Sequence, residues 1–343
     1  MNAPKNLLVV RTDRIGDVIL SLPLAEIVKR KYPGCKVSFL VRAYTSTLVK
    51  DNPFIDHVLL LKEKNNKILI KENISAVRQK KFDACIIVYP TFLLALIIFL
   101  SGIKNRIGTG YRWYSFFFNS KIFEHRKHAK KHELEYNVGL LKQIGISENV
   151  SPGNVKFNLK VYEEEKDFIK NLLKENNVSL KNKLVIIHPG SGGSSIDLPS
   201  EKMIELTEGI SEIENLQIII TGNNSEVELC GKFVVNNSVK NFAGKLNLSQ
   251  LNALISFADL FISNSTGPIH IATALGKYVI GFYPKILSCS VERWGPYTKK
   301  RTIFRPTIDC SNCSREQCEK LDCMNSIDIG RVFDECKTVL KIC

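Results

Sequence analysis

Short apolar runs rich in β-branched residues alternate with helical patterns along almost the whole chain, and few folds accept that alternation. Strand, helix and strand in succession build parallel sheets with crossover helices. In the first half, strands are expected at 7–10, 36–41, 57–61, 84–89 and 105–108, with helices over 18–31 and 133–144. Periodicity fades between Ser147 and Lys160, where Pro152, Gly153 and several Asn fall. A charged amphipathic helix over 163–176 follows, and the alternation restarts with strands at 184–188, 216–221, 260–263 and 278–282. This predicts an α/β chain of two Rossmann-like, doubly wound domains, at 1–160 and 161–325, with ligand bound in a cleft between them. A last apolar-periodic stretch within 326–343 has no strand to pair with and reads as a terminal helix.

Length agrees, since 343 residues are too many for one small core. The net charge of +14 implies an anionic partner: nucleic acid, an anionic membrane or a phosphorylated substrate. Nucleic acid is disfavoured, because the basic residues lack interleaved aromatics and no reading module is present. The basic residues cluster in the first half, at Lys62-Glu63-Lys64 and at His125-Arg126-Lys127, and each cluster alone fits a solvated face. No secretory signal precedes the strand-like Asn6-Leu7-Leu8-Val9-Val10, so a cytoplasmic setting is expected. The apolar stretch from Ala84 to Leu100 is interrupted by Pro90 and Thr91 and reads as a buried βα unit rather than a span. Of ten cysteines, Cys310, Cys313, Cys318 and Cys323 crowd one loop. Zinc is the minor reading there, because the second pair is widely spaced and no His lies among them.

Two strand-to-helix turns carry small hydroxyl and glycine residues: His188-Pro189-Gly190-Ser191-Gly192-Gly193-Ser194-Ser195, and Ser263-Asn264-Ser265-Thr266-Gly267-Pro268-Ile269-His270. Such turns expose backbone N–H groups toward one point and seat anions. Two of them suggest a diphosphate-bearing ligand. Gly222 and Glu226 follow the 216–221 strand, where an acid can meet a ribose. The first βα turn reads Arg11-Thr12-Asp13-Arg14-Ile15-Gly16-Asp17. Asp17 is either a helix N-cap, the reading physics alone favours, or a general base. Arg11 and Arg14 flank it, either to keep it charged or to grip an acceptor phosphate.

Together these motifs, with Ala272-Thr273-Ala274-Leu275-Gly276 and Cys310-Ser311-Asn312-Cys313, resemble glycosyltransferase family 9, the ADP-heptose:lipopolysaccharide heptosyltransferases and their relatives. The resemblance runs in family order from the first strand to the cysteine loop. It implies a GT-B fold whose terminal helix packs back on the N-terminal domain, and a peripheral enzyme on the cytoplasmic face of the inner membrane. It also implies inverting transfer without an obligatory metal or cofactor, from ADP-heptose to a lipid-A-linked core. Asp17 falls on the family's base. Ser191, Gly192, Ser194, Ser195, Gly222, Glu226, Ser265, Thr266, Gly267 and His270 fall on the nucleotide-sugar site. Arg11, Arg14, Lys62 and Lys64 become the expected acceptor contacts.

Two departures stand out. Where the family often has a Lys after the serine turn, this chain has Ile196 followed by Asp197, and Ser265 replaces a frequent Asp. These admit a different donor sugar, a compensating cation such as Arg293 or Lys285, or a non-catalytic nucleotide- or glycan-binding relative.

Overall fold

The computed structural model describes residues 3–309 and 313–342. The chain divides into two compact units, 1–126 with 133–160, and 127–132 with 161–343. Each unit carries a six-stranded sheet whose pairings are all parallel.

In the first unit the strands are β1 (Asn6–Val10), β2 (Lys36–Val41), β3 (His57–Leu60), β6 (Ala84–Ile87), β7 (Asn105–Thr109) and β8 (Ser120–Ile122). A short antiparallel hairpin, β4 (Glu63–Lys64) and β5 (Lys67–Ile68), stands apart. The sheet order β3-β2-β1-β6-β7-β8 reverses direction beside β1. Strand β1 is therefore central, and four of its five residues are buried. The expected helix over 18–31 is broken into α1 (Ile15–Ile19) and α2 (Pro23–Lys31), because Pro23 lacks the N–H that would continue the ladder. Then follow α3 (Ile70–Gln79), α4 (Phe92–Leu100) and α5 (Glu133–Gly139), the last running into a 3₁₀ turn over Leu140–Ile144. Helix α4 is started by Thr91, whose Oγ1 accepts from Leu94 N at 3.3 Å. Among the described residues no helix is long and apolar enough to cross a membrane.

The second unit opens with α6 (Glu163–Glu175). It continues through β9 (Lys183–His188), α7 (Ser200–Ser211), β10 (Leu216–Ile220), α8 (Val227–Gly231), β11 (Val239–Asn241) and α9 (Leu248–Phe257). Then come β12 (Leu260–Asn264), α10 (Gly267–Ala274), β13 (Tyr278–Phe282), α11 (Val291–Trp294) and β14 (Arg301–Phe304). Its order, β11-β10-β9-β12-β13-β14, repeats that of the first sheet, with the switch point between β9 and β12. Ligands in open α/β sheets sit outside the carboxyl ends of the strands at that point.

Helices α12 (Arg315–Lys320) and α13 (Ile329–Leu340) finish the chain. The terminal helix, expected to pack back on the N-terminal domain, is part of the second compact unit. Its apolar stripe, Ile329, Val332, Cys336 and Leu340, is buried in the second unit's core with Val185, Leu206, Ile210 and Ile218. Burying that stripe against α7 and the sheet removes it from water, so the helix belongs to this unit.

Candidate active site

At the carboxyl end of β1 the chain turns through Asp13 and Arg14 into α1. Arg14 is the N-cap and makes no side-chain capping bond, while Asp17 lies inside the first turn. The N-cap reading of Asp17 is thereby corrected. Its carboxylate oxygen Oδ1 accepts from Arg11 Nη2. Arg11 Nε lies 2.8 Å from Asp13 Oδ1, and Nη1 lies 3.5 Å from Glu133 Oε1. Glu133 also pairs with Arg126, which in turn donates to Asn137 Oδ1 at 3.1 Å.

Arg11 is only 1% exposed, so it cannot hold an acceptor phosphate, and that expectation is corrected. Buried among three carboxylates, Arg11 organises the cluster through charge-assisted contacts. Arg14 is exposed, as are Lys62 and Lys64 beyond β3, two strands away from β1. Burial pushes the Asp13 carboxyl well above the ordinary carboxylate range; Arg11 opposes the shift and Asp17 adds to it. Asp13 and Asp17 thus share one buried guanidinium. Sequence reading missed Glu133, 116 or more positions away from the β1 turn and without a motif around it.

The second cluster surrounds the switch point of the other sheet. Gly192 and Gly193, after β9, take φ of +56° and +75°, the left-handed conformation that other residues resist. Ser194 N donates to Ser191 O at 3.1 Å and closes the turn. Ser194 Oγ lies within reach of Ser191 O at 2.8 Å and of Ser265 O at 3.0 Å, so it ties this turn to the one after β12. Asn264 does the same from below: Nδ2 donates to Pro189 O at 2.5 Å and Oδ1 accepts from Leu198 N at 2.9 Å. Its position at the last residue of β12 was the only sequence signal for that role.

Thr266 caps α10 without a side-chain capping bond, and Gly267 opens the helix with Pro268 behind it. His270 is buried in the first turn, and its Nδ1 has no hydrogen-bond partner among the described residues. Burial holds its pKa down to about 4, so at neutral pH it is an uncharged ring able to donate one hydrogen bond. His188 is likewise neutral, but its Nδ1 is already 3.0 Å from Thr221 Oγ1.

Glu226 is no surface loop residue. It is buried, its Oε2 accepts from Asn223 N at 2.9 Å, and Gly190 and Gly222 give it room. A Cβ at Gly190 would lie 2.0 Å from Glu226 Oε1. The structure thus gathers Gly222, Glu226 and the serine turn, which are far apart in sequence.

Ser191 contributes differently from expectation. Its N–H goes to Asp197 Oδ2 at 3.1 Å, and its Oγ accepts from Ser195 N at 3.3 Å. A carboxylate from this chain therefore occupies the Ser191 amide. Burial raises the pKa of Asp197, against the hydrogen bonds from Ser191. Ile196, in place of the expected Lys, is partly buried against two apolar clusters. Lys285 donates to Ile308 O and Arg293 lies over the Trp294 ring, while Arg315 of α12 brings its Nη2 within 3.1 Å of both Gly193 O and Ser195 O.

In the cysteine loop, Cys318 and Cys323 are buried with Ile286, and Cys289 and Cys313 pack against them. Cys310 lies outside the described residues. Among the described residues no group of three or more His, Cys, Asp or Glu is arranged to hold a metal ion.

Residues 71–323 match the sequence model of glycosyltransferase family 9 (heptosyltransferase). The chain belongs to glycosyltransferase family 9. A member of this family is a glycosyltransferase enzyme, and the two parallel six-stranded sheets are those of the GT-B fold. The chain is 29% identical over 300 residues to a Haemophilus influenzae protein with only a provisional glycosyltransferase name, covering 85% of this chain and 86% of that one. It is 26% identical to the lipopolysaccharide core heptosyltransferase OpsX of the same organism, over 82% of this chain and 79% of OpsX. Among solved structures it is similar to the Escherichia coli ADP-heptose LPS heptosyltransferase II, with a TM-score of 0.78 and 19% identity over 98% of each chain. Glycosyl transfer by a family 9 fold therefore no longer rests on motifs alone. Asp17 precedes the span that the family model matches.

Proposed function

We propose that this family 9 enzyme transfers a heptose from ADP-heptose to the lipopolysaccharide inner core at the cytoplasmic face of the inner membrane. Asp17 is the general base. The relatives named as lipopolysaccharide heptosyltransferases support the substrate class. The observation that carries the reading is the pair of turns after β9 and β12, joined through Ser194 and Ser265, with the orphan Nδ1 of buried His270 beside them. A diphosphate would meet the amides that open α10.

In the transfer, the acceptor hydroxyl gives its proton to Asp17 Oδ2, since Oδ1 is engaged by Arg11. The freed oxygen bonds to the anomeric carbon from the face opposite the leaving group. The anomeric C–O bond to the diphosphate breaks, its electron pair leaves with ADP, and configuration inverts. Negative charge grows on the leaving phosphate, where the α10 amides, the Thr266 hydroxyl and the His270 ring can meet it. The test is a panel of nucleotide sugars, read first as a shift in melting temperature and then as product on a lipid-A-linked acceptor. ADP-heptose is expected to give the largest shift and the only product. A larger shift and product with another sugar nucleotide would replace the donor, and binding without product would leave a non-catalytic relative.

Charge around the serine turn yields a paired prediction for donor affinity. Asp197→Asn removes an anion beside the diphosphate position and is expected to tighten donor binding about fivefold, equivalent to about 1 kcal/mol. Arg315→Ala is expected to weaken it by a similar factor or less, because that guanidinium is half exposed and screened. Calorimetric titration with ADP checks both. Unchanged affinity in both variants would remove this turn from the donor site.

A further inference from the structure

The first unit shows a second surface, which the reaction chemistry does not use. Helix α4 is apolar throughout, and Phe92, Leu93, Phe99 and Leu100 face outward. The loop after β7 adds Trp113, 73% exposed, and Phe116, 63% exposed. These rings form one continuous patch. Trp113 stacks on Phe92 with centroids 5.0 Å apart, and Phe117 links Phe92, Phe99 and Phe116 at 6.0, 5.1 and 4.4 Å. The loop is held in this arrangement by polar bonds directed inward. Tyr114 Oη donates to Pro90 O at 2.7 Å, Ser115 Oγ to Thr109 O at 2.8 Å, and Arg106 Nε to Phe117 O at 2.7 Å. A monomer rarely leaves so large an aromatic patch in water without a partner.

Charge identifies the partner. Between Ala84 and Phe123 there is no Asp or Glu, while Lys104, Arg106, Arg112 and Lys121 are present. Arg106 lies 5.2 Å above the Phe99 ring, and Arg78 of α3 reaches Leu100 O at 2.6 Å. Trp and Phe ringed by cations suit the headgroup level of a bilayer, the rings in the acyl boundary and the cations at phosphates. At nine residues α4 is about 14 Å long, less than half the hydrocarbon thickness, so it can lie in the interface but not cross it. Location matters too. Thr91 follows β6 and Trp113 follows β7, at the carboxyl edge of the sheet where the β1 turn carries Asp17.

We propose that the outer face of α4 and the loop after β7 seat the first unit on an anionic phospholipid surface, presenting Asp17's sheet edge to an acceptor anchored there. The inference rests on the lipid-linked acceptor of the proposed function and names the surface that meets its membrane.

The test is co-sedimentation with vesicles of phosphatidylcholine alone and of phosphatidylcholine with one quarter phosphatidylglycerol. The unaltered protein is expected to pellet with the anionic vesicles and weakly with the neutral ones. Trp113→Ser with Phe116→Ser is expected to weaken that binding at least tenfold, while keeping the donor-induced melting shift. Lys104→Ala with Arg112→Ala is expected to weaken binding to anionic vesicles only. Protein that stays in the supernatant, or an aromatic variant that pellets like the parent, overturns the proposal. So does a dimer in light scattering that the aromatic variant converts to monomer, since the face would then join two copies. Loss of donor binding in the unaltered protein would count against the proposed function instead, leaving the vesicle result intact.

Discussion

Asp17→Asn is expected to lower kcat by about 10²–10⁴-fold, the range a positioned general base supplies, while the donor still raises the melting temperature. Asparagine keeps the shape and can still accept from Arg11, but it cannot take the acceptor's proton. Local charge balance also tolerates the change, because Arg11 retains Asp13 and Glu133 as partners. Asp13→Asn is the informative control. Burial lifts the Asp13 carboxyl toward the pH at which a base works best, so on electrostatics alone it competes with Asp17 for the role. If Asp17 is the base, Asp13→Asn leaves kcat within about tenfold. Turnover of Asp17→Asn within threefold of the parent, or a deeper loss in Asp13→Asn, would transfer the role to Asp13.

The largest effect on stability is expected at Arg11. Arg11→Met leaves Asp13, Asp17 and Glu133 without their shared cation in a largely buried site, and should cost the first unit about 3–5 kcal/mol. Methionine keeps the length and apolar stem of arginine, so lost charge rather than lost volume is measured. Lysine is not equivalent: Nε, Nη1 and Nη2 each face a different carboxylate, and one ammonium cannot reproduce that fork. The sign with pH follows from proton binding. In the variant the folded state holds protons on the buried carboxyls that the unfolded chain releases above about pH 4. Its deficit should therefore grow as pH rises through that point and shrink on acidification. Hydrogen exchange of the β1 amides reads this unit by itself. A free-energy change under about 1 kcal/mol at pH 7 would mean that the cluster is wetter and weaker than its geometry indicates.

How much of this was legible beforehand differs by element. Strands such as β2 and β13 stand out because buried parallel strands are continuous apolar runs. The edge strands β8, β11 and β14 were not expected, and their sequences explain why. Ser120-Lys121-Ile122 and Val239-Lys240-Asn241 are three residues long and carry a lysine each, and all four residues of β14 are half exposed. An edge strand pairs on one side only, so little apolar patterning is required of it. After β10 the chain makes a 3₁₀ turn over Asn224–Glu226 followed by the short α8, started by a capping box between Asn223 and Glu226. That box also explains how Glu226 comes to be oriented toward Gly190 and Gly222.

By itself the sequence determined the two doubly wound sheets, the places where their strands end in amide-rich turns, and through those turns the family. Each depends on local chemistry: β-branched runs, glycine conformations and helix starts are properties of neighbouring residues. Only the tertiary structure decided which charges are paired. It buried Arg11 among carboxylates, drew Glu133 to them, set Asp197 on the amide of Ser191, brought Arg315 to the serine turn, and folded α13 into the second unit. Those outcomes hinge on desolvation and on distances between residues remote along the chain, and no local pattern encodes either.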